Sequence, residues 1–132
     1  MMQTATHLAR QDILLIEPSS MTGGIIVSTA RQLALPQVRQ VNSVRSAHAQ
    51  LETRPITGMI VSLDEQAEAV ELLRRLRAAD FPVPADMPVA ITTAQVDAGT
   101  AEQLKALRVR RILLKPFKVR NVITTIEMLV AA

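Results

Sequence analysis

Five short apolar runs, each separated from the next by a stretch of helical periodicity, restrict what this chain can fold into more than any other feature. The runs cover residues 13–16, 38–41, 59–63, 89–92 and 112–114. Their length and β-branched content suit strands rather than buried helices. Between them, residues 20–33 place Ile26, Ala30 and Leu33 on one stripe, and Ser43 can cap a helix carrying Val44, Ala47, His48 and Leu51. Residues 65–79 carry Ala69, Leu72, Leu73 and Leu76 at helical spacing. Asp97 can cap a fourth helix with Ala101, Leu104 and Leu107, and a fifth, from Val119, shows Val122, Ile123, Ile126 and Leu129. Strict alternation of strand and helix requires right-handed crossovers and a parallel sheet covered on both faces.

The expected architecture is therefore an α/β, flavodoxin-like, doubly wound five-stranded parallel sheet in three layers. Breakers fall where this scheme needs them, with Pro36 and Pro55 ahead of strands two and three and Pro82, Pro84 and Pro88 in the connection to strand four. Gly23 and Gly24 sit in the first turns of helix one, where each costs about 1 kcal/mol, so that helix is expected to start late or fray. At 132 residues the chain has the size of one domain, here residues 12–132, preceded by a flexible tail over residues 1–11.

Cysteine is absent, which excludes disulfides, thiolate catalysis and Cys-based zinc sites, and leaves His7 and His48 as the imidazoles. His48 reads as a packed or half-exposed residue of its helix. The early apolar run 13–16 is too short for a signal-peptide core or a membrane span, so a cytoplasmic location without membrane contact is expected. Basic residues concentrate late in the chain, at Lys105, Arg108, Arg110, Arg111, Lys115, Lys118 and Arg120. Such a surface favours acidic partners. Nucleic acid is disfavoured, because Phe81 and Phe117 are the sole large aromatic residues and no stacking platform exists.

Candidate site residues lie at the strand ends. The segment Arg111-Ile-Leu-Leu-Lys-Pro-Phe117 ends a strand on a lysine followed by proline, and the first, third and fourth runs also end in polar residues. In a doubly wound sheet these ends meet in one crevice. Pro18 to Ser62, Ser62 to Thr93 and Thr93 to Lys115 are 44, 31 and 22 residues apart. With the β/α order, these intervals resemble the receiver domains of two-component response regulators, the CheY-like fold, over residues 12–130. The resemblance implies a phosphoryl or anion contact at Lys115 and Thr93, and Pro116 joined to Lys115 through a cis peptide. It also implies a phosphoacceptor position at Ser62 and one metal-binding acid, Glu17, where the family has an acidic pair; Glu17 suits equally a leftover acid paired with Lys115. Pro18 takes the place of the second acid and offers no ligand for Mg²⁺. Ser62 is a weak nucleophile without an adjacent base. Ile112 stands where many receivers carry the switching aromatic residue.

Three functions are weighed on these residues. The first is a stand-alone divergent receiver, not an enzyme and not phosphorylated at the usual position, which acts by protein contact in a phosphorelay. Its partner, a histidine kinase or effector or a second copy, would meet the face carrying Lys105, Arg108, Arg110, Arg111, Lys118 and Arg120. The second uses Asp64 as a displaced acceptor with weak Mg²⁺ binding at Glu17. Asp64 lies two residues beyond Ser62, so strand alternation would put both side chains on one face, although Leu63-Asp64-Glu65 also reads as a loop and first helical turn. The third, a small flavodoxin-like enzyme or nucleotide binder, lacks the glycines that close backbone approach to a phosphate requires. No cofactor other than weak Mg²⁺ is expected.

Overall fold

Each apolar run becomes a strand and each intervening segment a helix. The computed structural model describes residues 11–130. Its strands are β1 (Asp12–Ile16), β2 (Gln37–Val41), β3 (Gly58–Ser62), β4 (Val89–Thr93) and β5 (Arg111–Leu114). Its helices are α1 (Ser20–Gln32), α2 (Val44–Thr53), α3 (Gln66–Arg77), α4 (Ala98–Ala106) and α5 (Val119–Val130), with a 3-10 turn at Leu63–Glu65. All strand pairs are parallel, in the order β2-β1-β3-β4-β5.

Successive strand residues point to opposite faces, and in β1, β3 and β4 both faces are apolar and buried. Leu14, Ile16, Met59, Val61, Val89 and Ile91 pack under Val44, Ala47 and Leu51 of α2, Leu72, Leu73 and Leu76 of α3, and Leu104 of α4. Ile13, Leu15, Ile60 and Ala90 face the other way, against Ile26 and Ala30 of α1 and Val122, Ile126 and Leu129 of α5. Two stripe residues depart from expectation. Leu33 and Val119 are 52% and 53% exposed, because one lies beyond the last turn of α1 and the other opens α5 before its apolar face reaches the sheet.

Helix starts follow the hydroxyl and carboxyl caps. Ser43 and Asp97 accept the amides of Ser46 and Thr100, at 3.1 and 2.7 Å, and Ser19 accepts that of Thr22 at 3.1 Å. Contrary to expectation, α1 runs unbroken through Gly23 and Gly24. At Gly23 the missing side chain leaves room for the Gln40 amide, which crosses from β2 over the start of α1 and would overlap a Cβ there. Residues 1–10 of the expected tail lie outside the described residues. Gln11 is held, its side-chain oxygen accepting the Thr57 hydroxyl at 3.0 Å.

The long connection after α3 is fastened by Arg77. Its guanidinium donates to the carbonyls of Met87 (2.7 Å), Ala85 (2.8 Å) and Leu107 (2.9 Å), joining that connection to the α4–β5 loop. Burial, then the nearby Arg108 guanidinium, lowers its pKa from the ordinary arginine value.

Candidate functional site

The strand order reverses direction at β1, whose neighbours are β2 on one side and β3 on the other, so the loops leaving β1 and β3 separate and open a crevice at their carboxyl ends. Glu17 continues β1 into this crevice, its amide donating to the Val41 carbonyl at 3.0 Å. Its side chain is fully buried. One carboxylate oxygen, Oε2, accepts the Ser19 amide at 3.0 Å; the other, Oε1, lies 3.0 Å from Nζ of Lys115. Oε1 has no hydrogen bond of good direction, so the contact with the ammonium is chiefly Coulombic. A buried carboxylate needs such a charge beside it, and losing the partner typically costs about 3–5 kcal/mol.

Lys115 comes to this position from the end of β5. Its amide donates to the Thr93 carbonyl at 2.8 Å, which carries the β4–β5 pairing one residue past the strand, and its peptide bond to Pro116 is cis. The ammonium also lies 3.3 Å from Ser62 Oγ and 3.8 Å from Oδ1 of Asp64. Three oxygens, from the end of β3 and the segments that follow β1 and β3, thus approach one cation.

Ser62 ends β3, where it pairs with Thr92. Its buried hydroxyl oxygen accepts the Asp64 amide at 3.2 Å and caps the 3-10 turn. With Lys115 as a second donor, the lone pairs a nucleophile would use are engaged. Asp64 belongs to the turn and not to the strand, so the alternation argument does not describe it. The turn brings its carboxylate to the ammonium instead, with the side chain 53% exposed.

Thr93 is brought to the crevice through its backbone, while its hydroxyl donates to the Gln95 carbonyl at 2.8 Å and is spent on its own loop. Beside it, the Thr92 hydroxyl is buried without a partner. Ile112 is part-buried against the α2–α4 layer. Pro116 lines a cavity of about 260 Å³ with Ile25, Phe117 and Val119, on the α1–α5 side of Lys115. His48 lies away from the crevice, edge-on to Phe81 at 5.6 Å, its Nδ1 3.3 Å from Nη1 of Arg75.

Gln40 was not among the residues singled out from sequence. Its amide donates to the carbonyls of Glu17 (3.1 Å) and Ser19 (3.4 Å), holding the loop that presents Glu17. The one signal that could have marked it is Gly23, a glycine inside a helical pattern, where a missing Cβ leaves room for another group.

The late basic residues do not form one cluster. Lys105, Arg108, Arg110 and Arg111 lie at the end of α4 and the start of β5, with Arg108 and Arg110 near Arg77, whereas Lys118 and Arg120 follow the opposite end of β5, beyond Lys115. All are exposed except Arg111, which is half-buried.

No family model and no curated protein matches the sequence. Solved structures do. A response regulator from Thermotoga maritima is 20% identical, with 92% of this chain and 98% of that one covered at a TM-score of 0.78. The fold is that of a response regulator receiver domain. A response regulator receiver protein from Pseudomonas putida aligns at a TM-score of 0.80, with 19% identity over 91% of this chain and 98% of its own. An orphan response regulator of H. pylori aligns at 0.77, with 16% identity over 91% and 96%. Identity this low carries the receiver fold and leaves the chemistry of the crevice to the residues present.

Those residues do not fit a divalent cation. Pro18 has no donor, Ser62 offers a neutral hydroxyl, and the buried oxygen of Glu17 faces an ammonium. Among the described residues no three His, Cys, Asp or Glu side chains are grouped to hold a metal ion. No helix among them is long and apolar enough to cross a membrane.

Proposed function

We propose that this chain is a divergent receiver that signals by protein contact, without enzymatic activity of its own and without phosphorylation at the end of β3. The observation that carries this reading is the pairing of the Lys115 ammonium with buried Glu17 at 3.0 Å, next to a serine at the strand end. A lysine engaged this way is not free to neutralise an incoming phosphoryl group, and Ser62 has no base to activate it. The partner is a histidine kinase, an effector or a second copy, met in the cytoplasm through an acidic surface. Complementary charge is supplied by Lys105, Arg108, Arg110 and Arg111 at one end of β5 and by Lys118 and Arg120 at the other.

A second reading keeps phosphorylation, with Asp64 as acceptor and Thr93 and Lys115 as phosphoryl contacts. It is favoured by the 3.8 Å approach of Asp64 to the ammonium and by the exposure of that carboxylate. Incubation with acetyl phosphate and Mg²⁺ followed by intact-mass spectrometry separates the two. An unchanged mass supports the contact module, and a phosphoryl adduct abolished by Asp64→Asn overturns it. For the interface, Arg111→Glu and Arg120→Glu, one in each basic group, should together weaken association with the partner, or self-association, and unchanged association counts against both groups.

A further inference from the structure

The solvent side of α1 carries no charge along most of its length, since Arg31, in the last turn, is the one charged residue of the helix. Met21 and Ile25, one turn apart, are 79% and 50% exposed, and Ser28 continues the same row. A surface helix ordinarily sets charged residues against water, and an apolar row left there marks a contact. Ile25 shares a cavity with Val119 of α5, which Lys118 and Arg120 flank, so the charges that border the row are basic.

On the opposite layer, α2 and α3 leave between them a groove of about 760 Å³. Ala49 and Ala67 are too small to close it, Val44 and Leu72 give it an apolar floor, and Glu68 and Glu71 line its α3 wall. Glu65 accepts the Val44 amide at 2.8 Å and fixes the mouth of the groove. At the far end Arg75 is occupied by Asp80, 3.7 Å away, and by the Phe81 ring beneath it. Glu68 and Arg75 lie seven residues apart, as do Met21 and Ser28, which is about 10 Å of helix in each case.

We infer that the α1 row of one copy seats in the α2–α3 groove of a second copy, head to tail. The inference rests on the reading above that the chain works by protein contact, and it makes the chain its own partner. The row covers the apolar floor, while Lys118 and Arg120 approach Glu68 and Glu71 and avoid Arg45 on the α2 wall, which fixes the direction of the seated helix. Because row and groove lie on opposite faces of the sheet, a copy that seats its row keeps its groove free, and association continues past a dimer.

The test is sedimentation velocity on the full chain over a concentration series to about 1 mM. It compares the wild type, a row variant, Met21→Glu with Ile25→Glu, and a groove variant, Glu68→Lys with Glu71→Lys. All four positions are exposed, so the fold should be retained, and far-UV circular dichroism checks it. Should the row variant unfold, Met21→Glu alone takes its place. The wild-type mass should rise with concentration, and each variant should associate at least about tenfold more weakly. An equimolar mixture of the two variants should form one-to-one dimers and stop there, because it holds one intact row and one intact groove. A wild type that stays monomeric, variants that associate like the wild type, or a mixture that stays monomeric overturns the inference. Loss of association in Arg111→Glu with Arg120→Glu, with the row and groove variants unaffected, keeps the contact reading and overturns this one; acetyl phosphate labelling tests the receiver reading by a separate readout.

Discussion

Replacing Gly23 with alanine should destabilise the wild-type chain and stabilise a chain that lacks the Gln40 side chain. The three atoms nearest a Cβ at position 23 are Nε2, Cδ and Oε1 of Gln40, at 2.0, 2.2 and 2.5 Å. The flexible end of Gln40 yields before the helix backbone does, so the amide leaves and gives up its bonds to the carbonyls of Glu17 and Ser19. The Ser19 carbonyl keeps a partner in the Gly23 amide at 2.9 Å. The loss therefore falls mainly on the Glu17 carbonyl, at about 1–3 kcal/mol for an acceptor left unsatisfied. Against this, alanine gains about 0.5–1 kcal/mol over glycine inside a helix. The net is a destabilisation of about 1 kcal/mol. In the Gln40→Ala background the overlap is gone and the propensity gain remains, so the same substitution should stabilise by about 0.5–1 kcal/mol. Urea unfolding of the four proteins, with the midpoints compared at a common m-value, measures the coupling directly. A Gly23→Ala substitution that stabilises in both backgrounds, or a coupling below the error of the cycle, would refute the packing of Gln40 on this helix.

Other outcomes follow from the same structure. Ala79 ends α3 at φ 62°, a left-handed conformation that costs an alanine about 1–2 kcal/mol, so Ala79→Gly should raise the urea midpoint. Arg77→Met removes charge-assisted bonds to three loop carbonyls and should lower stability by about 2–4 kcal/mol, with amide exchange rising first in the 78–88 connection and the α4–β5 loop. Asp97 has its pKa lowered by the Thr100 amide it accepts. Because the folded form binds the proton less readily than the unfolded chain, its contribution is present above the ordinary carboxylate range and fades as pH falls through the lowered value. Stability curves of the wild type and Asp97→Ala should therefore differ at neutral pH and converge in acid; a gap that stays constant to low pH would remove the cap from the account.

The order and type of the five strands and five α-helices were legible in the sequence, since short apolar runs and helical stripes answer to local backbone periodicity and to burial on two faces. Ser43, Asp97 and the prolines marked boundaries through hydrogen-bonding and φ restrictions that act within a few residues. That Ser62, Thr93 and Lys115 share one crevice was legible from their places at strand ends, because strand ends in a doubly wound sheet are set by topology, and their spacing carried the resemblance to receiver domains. What periodicity does not carry is where a side chain goes once it arrives. That Thr93 turns its hydroxyl onto Gln95, that Asp64 reaches Lys115 from a 3-10 turn, and that a run of basic residues divides between the two ends of β5 depend on loop paths. Gln40 and Gly23 lie 17 residues apart and meet because β2 pairs with β1 beside the start of α1. The sequence by itself determined the layers and the composition of the crevice. It left Glu17 two roles, metal ligand or partner of Lys115, and tertiary structure decided for Lys115, because a buried carboxylate takes the nearest cation that packing allows, and which cation that is depends on three strands converging.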